Sequence, residues 1–316
     1  MELRQLKYFV SIVDMGSLSR ASLSLHIAQP ALSQQLSRLE DELGVKLLDR
    51  SVRGVSPTGA GRAFYDQAVL ILKQIDNAKV CVTQADAGPA GRVVIGLPWT
   101  ISNLLGLDLL QEVRQSFPGI QLEIMEGPSS LLSGLLSSGK LDLAILFDDS
   151  SNSGLAVTPL FSEPLLLIGP PGSFEQRQSL PLSEVARLPL LLLSPPNGIR
   201  RKIDLRFSEA GLHPIIVGDI NAPRLLERAI AKGLGYSVLP ASGIEDWIRD
   251  AQLDSTEIAG EPLERTVLLS TSRLFPLTTA AECVTKAVHR LVAAAAHRKR
   301  WRGRLLNDAP QHKSPL

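Results

Sequence analysis

The sequence has few cysteines, no long apolar run and no dominant sign of charge, and each absence excludes a class of protein. Its two cysteines among 316 residues, Cys81 and Cys283, show no metal-ligand spacing, which excludes a disulfide framework and a zinc module. No run approaches the roughly 18–20 apolar residues that span a bilayer, so we expect no membrane partner. The start of the chain, MELRQLKYFV, lacks the basic-then-apolar layout of a signal peptide. We therefore expect a cytoplasmic protein.

The charge is almost balanced, with 33 lysines and arginines against 32 aspartates and glutamates. This balance argues against a generally polybasic protein and leaves only local patches as candidates for contact with nucleic acid. One basic cluster, HRKRWRGR, covers residues 297–304. We interpret residues 302–316 as a basic, disordered tail, and a nucleic-acid-binding arm is the alternative.

Catalytic signatures are also missing. The sequence contains no G-x-S-x-G, H-E-x-x-H, P-loop or G-x-G-x-x-G motif. Its five histidines show no metal spacing. We therefore predict no catalytic residue, no metal and no cofactor. An enzyme is the main rival class, and turnover of the bound ligand would distinguish it from a sensor.

A long amphipathic helix is predicted after the first domain. Apolar residues recur there at alternating spacings of four and three, the seam of a coiled coil roughly 45 Å long. They are Phe64, Ala68, Ile71, Ile75, Ala78 and Val82. The pattern predicts a linker over 58–90 that pairs two chains, and a helix packed on its own domain is the alternative. The linker ends at AGPAG, residues 87–91, which we interpret as a hinge.

Beyond this hinge, short β-rich runs alternate with helical stretches such as Leu104–Gln115 and Pro223–Lys232. The predicted strands cover residues 92–97, 120–125, 141–147, 164–169, 214–220 and 265–270. Such alternation predicts mostly parallel α/β sheets. About 210 residues are enough for two lobes that meet at a cleft.

The stretch HIAQPALSQQL, residues 26–36, predicts a helix with an uncharged polar face. An apolar stripe faces the core through Leu32, Leu36, Leu39 and Leu43. The opposite face carries Pro30, Ser33, Gln34 and Ser37, with Gln29 at the exposed N-terminal end. Amides and hydroxyls attract nucleic acid weakly, but they match the donor and acceptor patterns of base edges, as glutamine does with adenine. The pattern therefore favours a helix that reads sequence.

A helix-turn-helix is predicted because a second helix precedes this one. The run SLSRASLSLH, residues 17–26, has the pattern of a helix capped by Ser17. Residues 44–61 predict a winged hairpin whose Arg50 and Arg53 reach the DNA backbone or the minor groove. The alternative is a plain helical bundle with a polar surface helix.

Residues Leu3–Gly61 closely resemble the winged helix-turn-helix of LysR-type transcriptional regulators. The resemblance continues through the linker helix and, more loosely, along the α/β half, for example in GKLDLAI (139–145) and AIAKGLGYSVLP (229–240). Within the family, the DNA-binding part is most similar to the nitrogen assimilation control branch. The resemblance implies an α/β fold with an N-terminal winged helix-turn-helix, a long linker helix and a C-terminal two-lobed effector domain of the periplasmic-binding-protein type.

The resemblance assigns DNA contacts residue by residue. The matching positions are Gln29, Pro30, Ser33 and Gln34 on the reading helix, Arg50 and Arg53 on the wing, and Arg4 and Arg38 near phosphates. Two departures matter. Ala28 replaces a serine or threonine at the N-cap, at a cost of ~1 kcal/mol unless Gln29 substitutes. Gln34 stands where an arginine is frequent, so the preferred bases need not be those most common in the family.

The resemblance also divides the chain into domains. Residues 1–57 would form the DNA-binding domain, 58–90 the linker helix and hinge, and 91–301 the effector domain. Lobe 1 would use about 91–161 and the return segment 265–301, lobe 2 about 162–264, and the tail 302–316. The alternation of strands and helices does not by itself show that lobe 1 is built from two separate segments of the chain.

Effector contacts are expected between the lobes, where loops follow strands. The candidate residues are Trp99, Thr100, Ile101, Ser102, Gly127, Ser129, Phe147, Asn197, Arg200 and Asn221. Hydroxyls and free amides at the helix start after Pro98 favour a carboxylate, with Arg200 or Arg201 as its partner; the alternative is that Thr100 or Ser102 only caps the helix. Asp148 and Asp149 would instead hold an amine, so the sign of the effector's charge stays open.

The resemblance implies a homodimer through the linker helices and a homotetramer through the sensor lobes, bound to pseudopalindromic promoter DNA. RNA polymerase is a further partner that this role implies. We expect a small-molecule effector to modulate promoter binding or bending by favouring one arrangement of the lobes. Two other interpretations stay open: a solute-binding protein, and a constitutive repressor whose sensor half only joins subunits.

Overall fold

The computed structural model describes residues 1–51, 54–83, 88–147, 153–174, 177–244, 247–248 and 253–306, except for the side chains at 76, 77 and 79–83. The helices are α1 Leu3–Met15, α2 Leu18–Ser24, α3 Gln29–Leu43, α4 Gly59–Thr83, α5 Trp99–Ser116, α6 Ser129–Ser137, α7 Leu182–Val185, α8 Gly198–Glu209, α9 Pro223–Ala231 and α10 Thr279–His297. The strands are β1 Leu48–Ser51, β2 Gly54–Pro57, β3 Ala90–Leu97, β4 Gly119–Glu126, β5 Leu143–Phe147, β6 Leu155–Gly169, β7 Ser179–Pro181, β8 Pro189–Leu192, β9 Ile215–Asp219, β10 Ser237–Pro240, β11 Asp254–Ala259, β12 Glu264–Ser272 and β13 Arg304–Leu305.

The N-terminal domain is a helix-turn-helix with a wing, as the sequence predicts. Ser17 caps α2 by accepting a hydrogen bond from the Arg20 amide. Helix α3 begins after Ala28, carries Pro30 in its first turn, and ends at Gly44 in the left-handed conformation. Its predicted apolar stripe is buried at Leu32, Leu36 and Leu39, whereas Leu43 at the helix end is partly exposed. Strands β1 and β2 pair as an antiparallel hairpin, the predicted wing.

A buried carboxylate fastens the wing to the end of α3. The Glu40 side chain is 5% exposed. It accepts hydrogen bonds from the Leu47 amide at 2.9 Å, the Leu48 amide at 3.3 Å and the Lys46 ammonium at 2.8 Å. Burial alone would raise the pKa of the Glu40 carboxyl, but these bonds outweigh burial and hold the pKa below its ordinary value of 4.5.

The linker helix α4 has two differently packed parts. Phe64 packs edge-on against Phe9 of α1 at 5.2 Å between ring centroids, and Ala68 is fully buried in the core of the same domain. Farther along, Ile71 is 37% exposed and Ala78 is also exposed. The first part of the predicted seam therefore packs on its own domain, and the later part is open to another chain. The side chain of Val82 lies outside the described residues.

A long mixed sheet joins the two lobes of the α/β half. Its strands follow the order β4-β3-β5-β12-β6-β11-β7, and β10 and β13 also pair with β6. The prediction of mostly parallel sheets is wrong for the described part of the α/β half. Pairing is parallel at β3–β4, β3–β5, β7–β11 and β8–β9, but β12 runs antiparallel to β5 and β6, and β10, β11 and β13 run antiparallel to β6. The reason is that β6 and β12 cross between the lobes in opposite directions.

Strand β6 passes from one lobe to the other near its middle. Residues 155–164 of β6 pair with β12, and residues 165–169 pair with β10 and β11. Helices α5 and α10 cover one face of the first lobe's sheet, and α6 covers the other. In the second lobe, α7 and α8 pack on one side and α9 on the other. No helix in the described part of the chain is long and apolar enough to cross a bilayer.

The segment after α10 corrects one expectation. A disordered tail is predicted from residue 302 onward, but residues 304–305 form β13, which pairs with Ser162 and Phe161 of β6. Trp301 is buried directly before it. Pairing and burial therefore extend at least to residue 306, whose amide donates to the Leu160 carbonyl. Residues 307–316 lie outside the described residues.

We predict that Glu40→Gln destabilises the DNA-binding domain by about 1–3 kcal/mol at neutral pH, because the amide carries no charge and keeps only one of the two oxygens that accept these bonds. Because the folded pKa is lowered, the wild-type carboxylate contributes stability above the ordinary value of 4.5 and loses it as the pH falls through the lowered pKa. Urea unfolding across acidic pH measures both effects. The exposed Asp41→Asn is the control, and equal losses for the two variants would contradict the assignment.

Candidate DNA-binding surface and effector cleft

The predicted reading residues share one exposed surface with the wing. Gln29, Pro30 and Gln34 are exposed on α3, and Ser33 is half-buried beside them. Arg50 of β1 donates from Nη1 to the Ser33 Oγ at 3.3 Å. The wing therefore lies against the polar face of α3, and a cationic and an uncharged polar surface meet there. In DNA recognition, cationic side chains contact the phosphate backbone and uncharged polar side chains read the base edges.

The start of α3 has no side-chain cap, as expected from Ala28. Gln29 does not substitute for one, because its Oε1 accepts a hydrogen bond from Ser19 Oγ of α2 at 3.2 Å. Two arginines assigned near phosphates are exposed: Arg4, which pairs with Glu2, and Arg38. Arg53 of the predicted wing lies outside the described residues.

The first turn of α5 lies between the lobes, but it is partly covered. Trp99 packs against Trp247 of the second lobe with ring centroids 5.7 Å apart. Gly243, in a short turn of the second lobe, leaves so little room that an added Cβ would lie 2.8 Å from the Thr100 methyl. Thr100 is itself buried. The second lobe therefore closes directly on the predicted effector-binding turn.

An arginine that is not among the predicted effector residues occupies the centre of this cleft. Arg265 of β12 is 4% exposed and donates from Nε to the Glu163 carboxylate of β6 at 2.7 Å. Its Nη2 donates to the Thr100 hydroxyl at 2.8 Å and to the Ser242 hydroxyl at 3.3 Å. Its guanidinium lies 3.7 Å from the centre of the Phe147 ring, a cation–π contact. Arg265 therefore connects the first lobe, the crossover strands and the second lobe.

Several predicted effector residues have other roles in the structure. Ile101 is fully buried in the core of the first lobe. Asn197 caps α8 by accepting the Ile199 amide. Arg200 pairs with Asp204 and Asp219, at 2.8 Å and 2.6 Å, so aspartates already neutralise the cation expected to hold the effector.

The remaining candidates lie on loops and helix starts. Asn221 accepts the Ser194 amide, and Gly127 donates its amide to Leu97 at the end of β3. Ser102 is half-buried in the first turns of α5. The buried Ser129 hydroxyl has no hydrogen-bond partner among the described residues. Asp148 and Asp149 lie outside the described residues. Of the predicted effector residues, Thr100 accepts a hydrogen bond from Arg265, and Phe147 lies under the Arg265 guanidinium.

A local sequence signal for the cleft pair does exist. Glu163 interrupts the run LFSEPLLLIG, and Arg265 opens the run RTVLLS. A single charge inside an apolar strand is costly to bury unless a partner neutralises it. Pairing two such positions, 102 residues apart, needs the crossover topology, which the sequence does not display.

The effector half also touches the DNA-binding half of the same chain. Asp14 of α1 accepts the Tyr65 hydroxyl at 2.6 Å and pairs with Lys140, after α6, at 2.7 Å. Burial, followed by the hydrogen bond to Asp14, raises the pKa of Tyr65 to about 12. A second pair joins Lys73 of the linker helix to Asp142 at 2.7 Å, and these side chains are only 20% and 10% exposed. We call these two pairs the domain junction.

The domain junction lies close to the cleft along the chain. Asp142 also accepts the Val94 amide of β3 at 2.8 Å. Strand β3 ends at Leu97, and α5 with its cleft-lining first turn begins at Trp99. One strand therefore connects the domain junction with the cleft.

Two family models match the chain. The bacterial regulatory helix-turn-helix protein model of the lysR family covers residues 3–62, and the LysR substrate binding domain model covers residues 86–293. The chain belongs to the LysR family of transcriptional regulators. As a LysR-type regulator it combines a DNA-binding domain with an effector-binding domain, which agrees with the two surfaces described above.

Individual relatives support this assignment. The nitrogen assimilation regulatory protein nac of Klebsiella aerogenes is 36% identical over 93% of this chain and 96% of its own length. The transcriptional dual regulator OxyR of Escherichia coli is 35% identical over 59% of this chain and 61% of its own.

Solved structures share the architecture of this LysR-type chain. A full-length OxyR variant from Pseudomonas aeruginosa has a TM-score of 0.72 at 25% identity, covering 92% of this chain and 94% of that one. Full-length CbnR in complex with its target DNA has a TM-score of 0.64 at 22% identity, covering 92% and 100%, which shows a shared fold.

We predict that Arg265→Met destabilises the chain by about 3–5 kcal/mol, because it leaves the Glu163 carboxylate buried without a cation. Adding Glu163→Gln removes that uncompensated charge and should recover most of the loss. Denaturant unfolding of the single and double variants forms a thermodynamic cycle. Losses that simply add would show that the two side chains act independently.

We predict that Lys73→Met costs about 1–3 kcal/mol, because it leaves the mostly buried Asp142 without its cation. Asp142→Asn in the same background should recover part of this loss. The free energy of unfolding of the full chain is the measurement. The exposed Lys7→Met of α1 serves as the control, and an equal cost at both lysines would contradict a specific domain junction.

Proposed function

We propose that this chain is a sequence-specific promoter-binding regulator whose DNA binding or bending is modulated by a small-molecule effector between the two lobes. The observation that carries the proposal is the uncharged polar face of α3, with Gln29 and Gln34 exposed and the wing's Arg50 beside it. Glutamine amides and a serine hydroxyl can distinguish base edges in the major groove. Arginines of the wing hold the backbone or the minor groove and supply affinity that is independent of sequence.

The proposed DNA site is pseudopalindromic. Two reading domains related by a two-fold axis bind half-sites about one helical turn apart. Because the proposed target is promoter DNA, we place the protein in the cytoplasm. RNA polymerase is the proposed partner that responds when the protein changes its binding to the promoter or the bend of the promoter.

The proposed assembly is a homotetramer built from two homodimers. Ile71 and Ala78 leave part of the linker seam open for a second α4. In the effector half, strand β9 exposes Ile215 and Val217 on one face and Ile216 on the other, and a further copy of the chain paired along this open strand edge would cover these apolar side chains. Sedimentation velocity measures the assembly, and a monomer at micromolar concentration would contradict it.

The proposed effector is a small carboxylate held beside Arg265 and the first turn of α5. Arg265 replaces Arg200 here because Arg265 has one carboxylate partner, Glu163, and the pair is neutral. Arg200 has two, Asp204 and Asp219, and that cluster carries a net negative charge that repels an anion. A helix start leaves its first amides without carbonyl partners, and they favour an anion. A ligand that fits one arrangement of the lobes better shifts the population by its difference in affinity between the two arrangements.

A regulator of this kind returns its effector unchanged, and we propose no catalytic residue. Incubation of the purified chain with its effector, followed by mass spectrometry, measures this property. Turnover of the effector would support an enzyme instead.

Fluorescence anisotropy on DNA from upstream of its own gene is the experiment that tests the proposed function. We expect affinity at least ~10³-fold above that for random duplex at the same salt concentration. Binding that is equally weak on both and vanishes at moderate salt would leave only electrostatic attraction and would contradict the proposal.

We predict that Gln34→Ala costs ~1–3 kcal/mol on the cognate site and relaxes base preference, because a base-edge contact is lost. Arg53→Ala, matched to the wing by resemblance, should weaken all sequences alike and reduce the salt dependence. Anisotropy titrations on cognate and random duplex at several salt concentrations separate the two effects. Equal weakening of both duplexes by Gln34→Ala would show that the reading face is assigned incorrectly.

A further inference from the structure

The segment that follows α10 reaches the cleft although it lies beyond the family's domain. The matching effector-domain model ends at residue 293. Trp301 is nevertheless 2% exposed, and its indole stacks on Phe161 of β6 at 4.3 Å between ring centroids. Gly303 adopts φ +142, and an added Cβ would lie 2.1 Å from the Ser162 carbonyl oxygen. The segment therefore lies flush against the crossover strand.

Trp301 supplies a hydrogen bond to the buried carboxylate of the cleft. Its Nε1 donates to the Oε2 of Glu163 at 2.9 Å. The Ser242 amide donates to the same oxygen at 2.9 Å. The other oxygen accepts from Arg265 Nε at 2.7 Å and from the Ser242 hydroxyl at 3.1 Å. Each oxygen thus accepts two hydrogen bonds, and without Trp301 the Oε2 would keep only the one from the second lobe.

The orientation of this carboxylate decides where the guanidinium lies. Glu163 is fully buried, so rotation away from its donors would leave a charge without partners in a dry site. Arg265 is held at one end by Glu163 and at the other by Thr100. A carboxylate that rotates would carry the guanidinium away from the first turn of α5.

We infer that Trp301 is a positioning residue of the effector cleft: it orients Glu163, and Glu163 holds Arg265 against the first turn of α5 and the turn of the second lobe. This inference rests on the proposed function for the identity of the ligand, a small carboxylate. The segment after α10 is then part of the sensing site.

Two substitutions separate hydrogen bonding from packing. Trp301→Phe keeps an aromatic ring against Phe161 and removes the N–H donor. Trp301→His keeps an N–H donor at nearly the same ring position and loses most of the ring packing. Both leave Trp99 and Trp247 as the remaining tryptophans, and this pair lies at the contact between the lobes. Acrylamide quenching of their fluorescence therefore reports how tightly the second lobe closes on α5.

A positioning role predicts a quenching constant about twofold higher for Trp301→Phe than for Trp301→His. In hydrogen exchange, Trp301→Phe should speed exchange of the amides at 241–244 at least tenfold relative to wild type. This second comparison does not need Trp301→His to fold. The exposed Arg302→Ala should leave hydrogen exchange unchanged. Equal exchange in Trp301→Phe and wild type, or stronger quenching in the histidine variant, would show that Trp301 only packs and would overturn the inference.

Titration with sodium acetate, followed by the fluorescence of Trp99 and Trp247, tests the link to the ligand. We expect acetate to bind Trp301→Phe at least fivefold more weakly than Trp301→His. Equal affinities would overturn the role of Trp301 at the site and leave the proposed carboxylate intact. If acetate binds neither variant nor wild type while the exchange difference is present, the proposed carboxylate is wrong and the positioning of Arg265 by Trp301 stands.

Discussion

The buried ion pair between Glu163 and Arg265 is the interaction on which the arrangement of the effector half depends. A carboxylate and a guanidinium removed from water are tolerated only when geometry and further hydrogen bonds compensate for the lost hydration. Here those bonds come from three directions: Thr100 of the first lobe, Ser242 of the second lobe and Trp301 of the segment after α10. Each lobe therefore supplies hydrogen bonds that replace water around the charges of Glu163 on β6 and Arg265 on β12.

This dependence couples closure of the cleft to the state of the pair. Separating the second lobe from α5 removes Ser242 from both Glu163 and Arg265, so the charges must gain other partners or water. The carboxylate proposed as effector would be such a partner for the guanidinium, and water would have to serve Glu163. The crossover strands thus connect the lobes, and the contact of Ser242 with Glu163 and Arg265 changes in energy when a ligand enters the cleft. A two-state sensor requires such a difference in energy between its two arrangements.

The domain junction connects this sensor to the reading domain through short, ordered steps. Strand β3 runs from the linker to the first turn of α5, and its Val94 amide is bonded to Asp142, which pairs with Lys73 of the linker helix. Helix α4 in turn packs on α1 of the reading domain through Phe64 and Ala68. A movement of the first lobe at the cleft therefore reaches the linker helix through β3 and the ion pair between Asp142 and Lys73.

Prediction from sequence was most accurate where local pattern and local physics agree. The stripe of Leu32, Leu36 and Leu39, the Ser17 cap and the uncapped Ala28 depend on residues a few positions apart, and the structure places each of them as expected. The ion pair of Arg200 with Asp219 was not predicted, because Asp219 lies on the next strand and is not visible in a helix motif.

The sequence by itself determined a helix-turn-helix with an uncharged reading face, a long linker helix and an α/β half, because hydrophobic period, caps and turn residues act over a few positions. Only the tertiary structure decided which charges meet. Glu163, Arg265 and Trp301 lie far apart along the chain, and they come together because the crossover strands run side by side and β13 pairs with one of them. Because these charges are buried, Glu163 and Arg265 must pair with each other and accept or donate further hydrogen bonds, and this joins the three residues into one site.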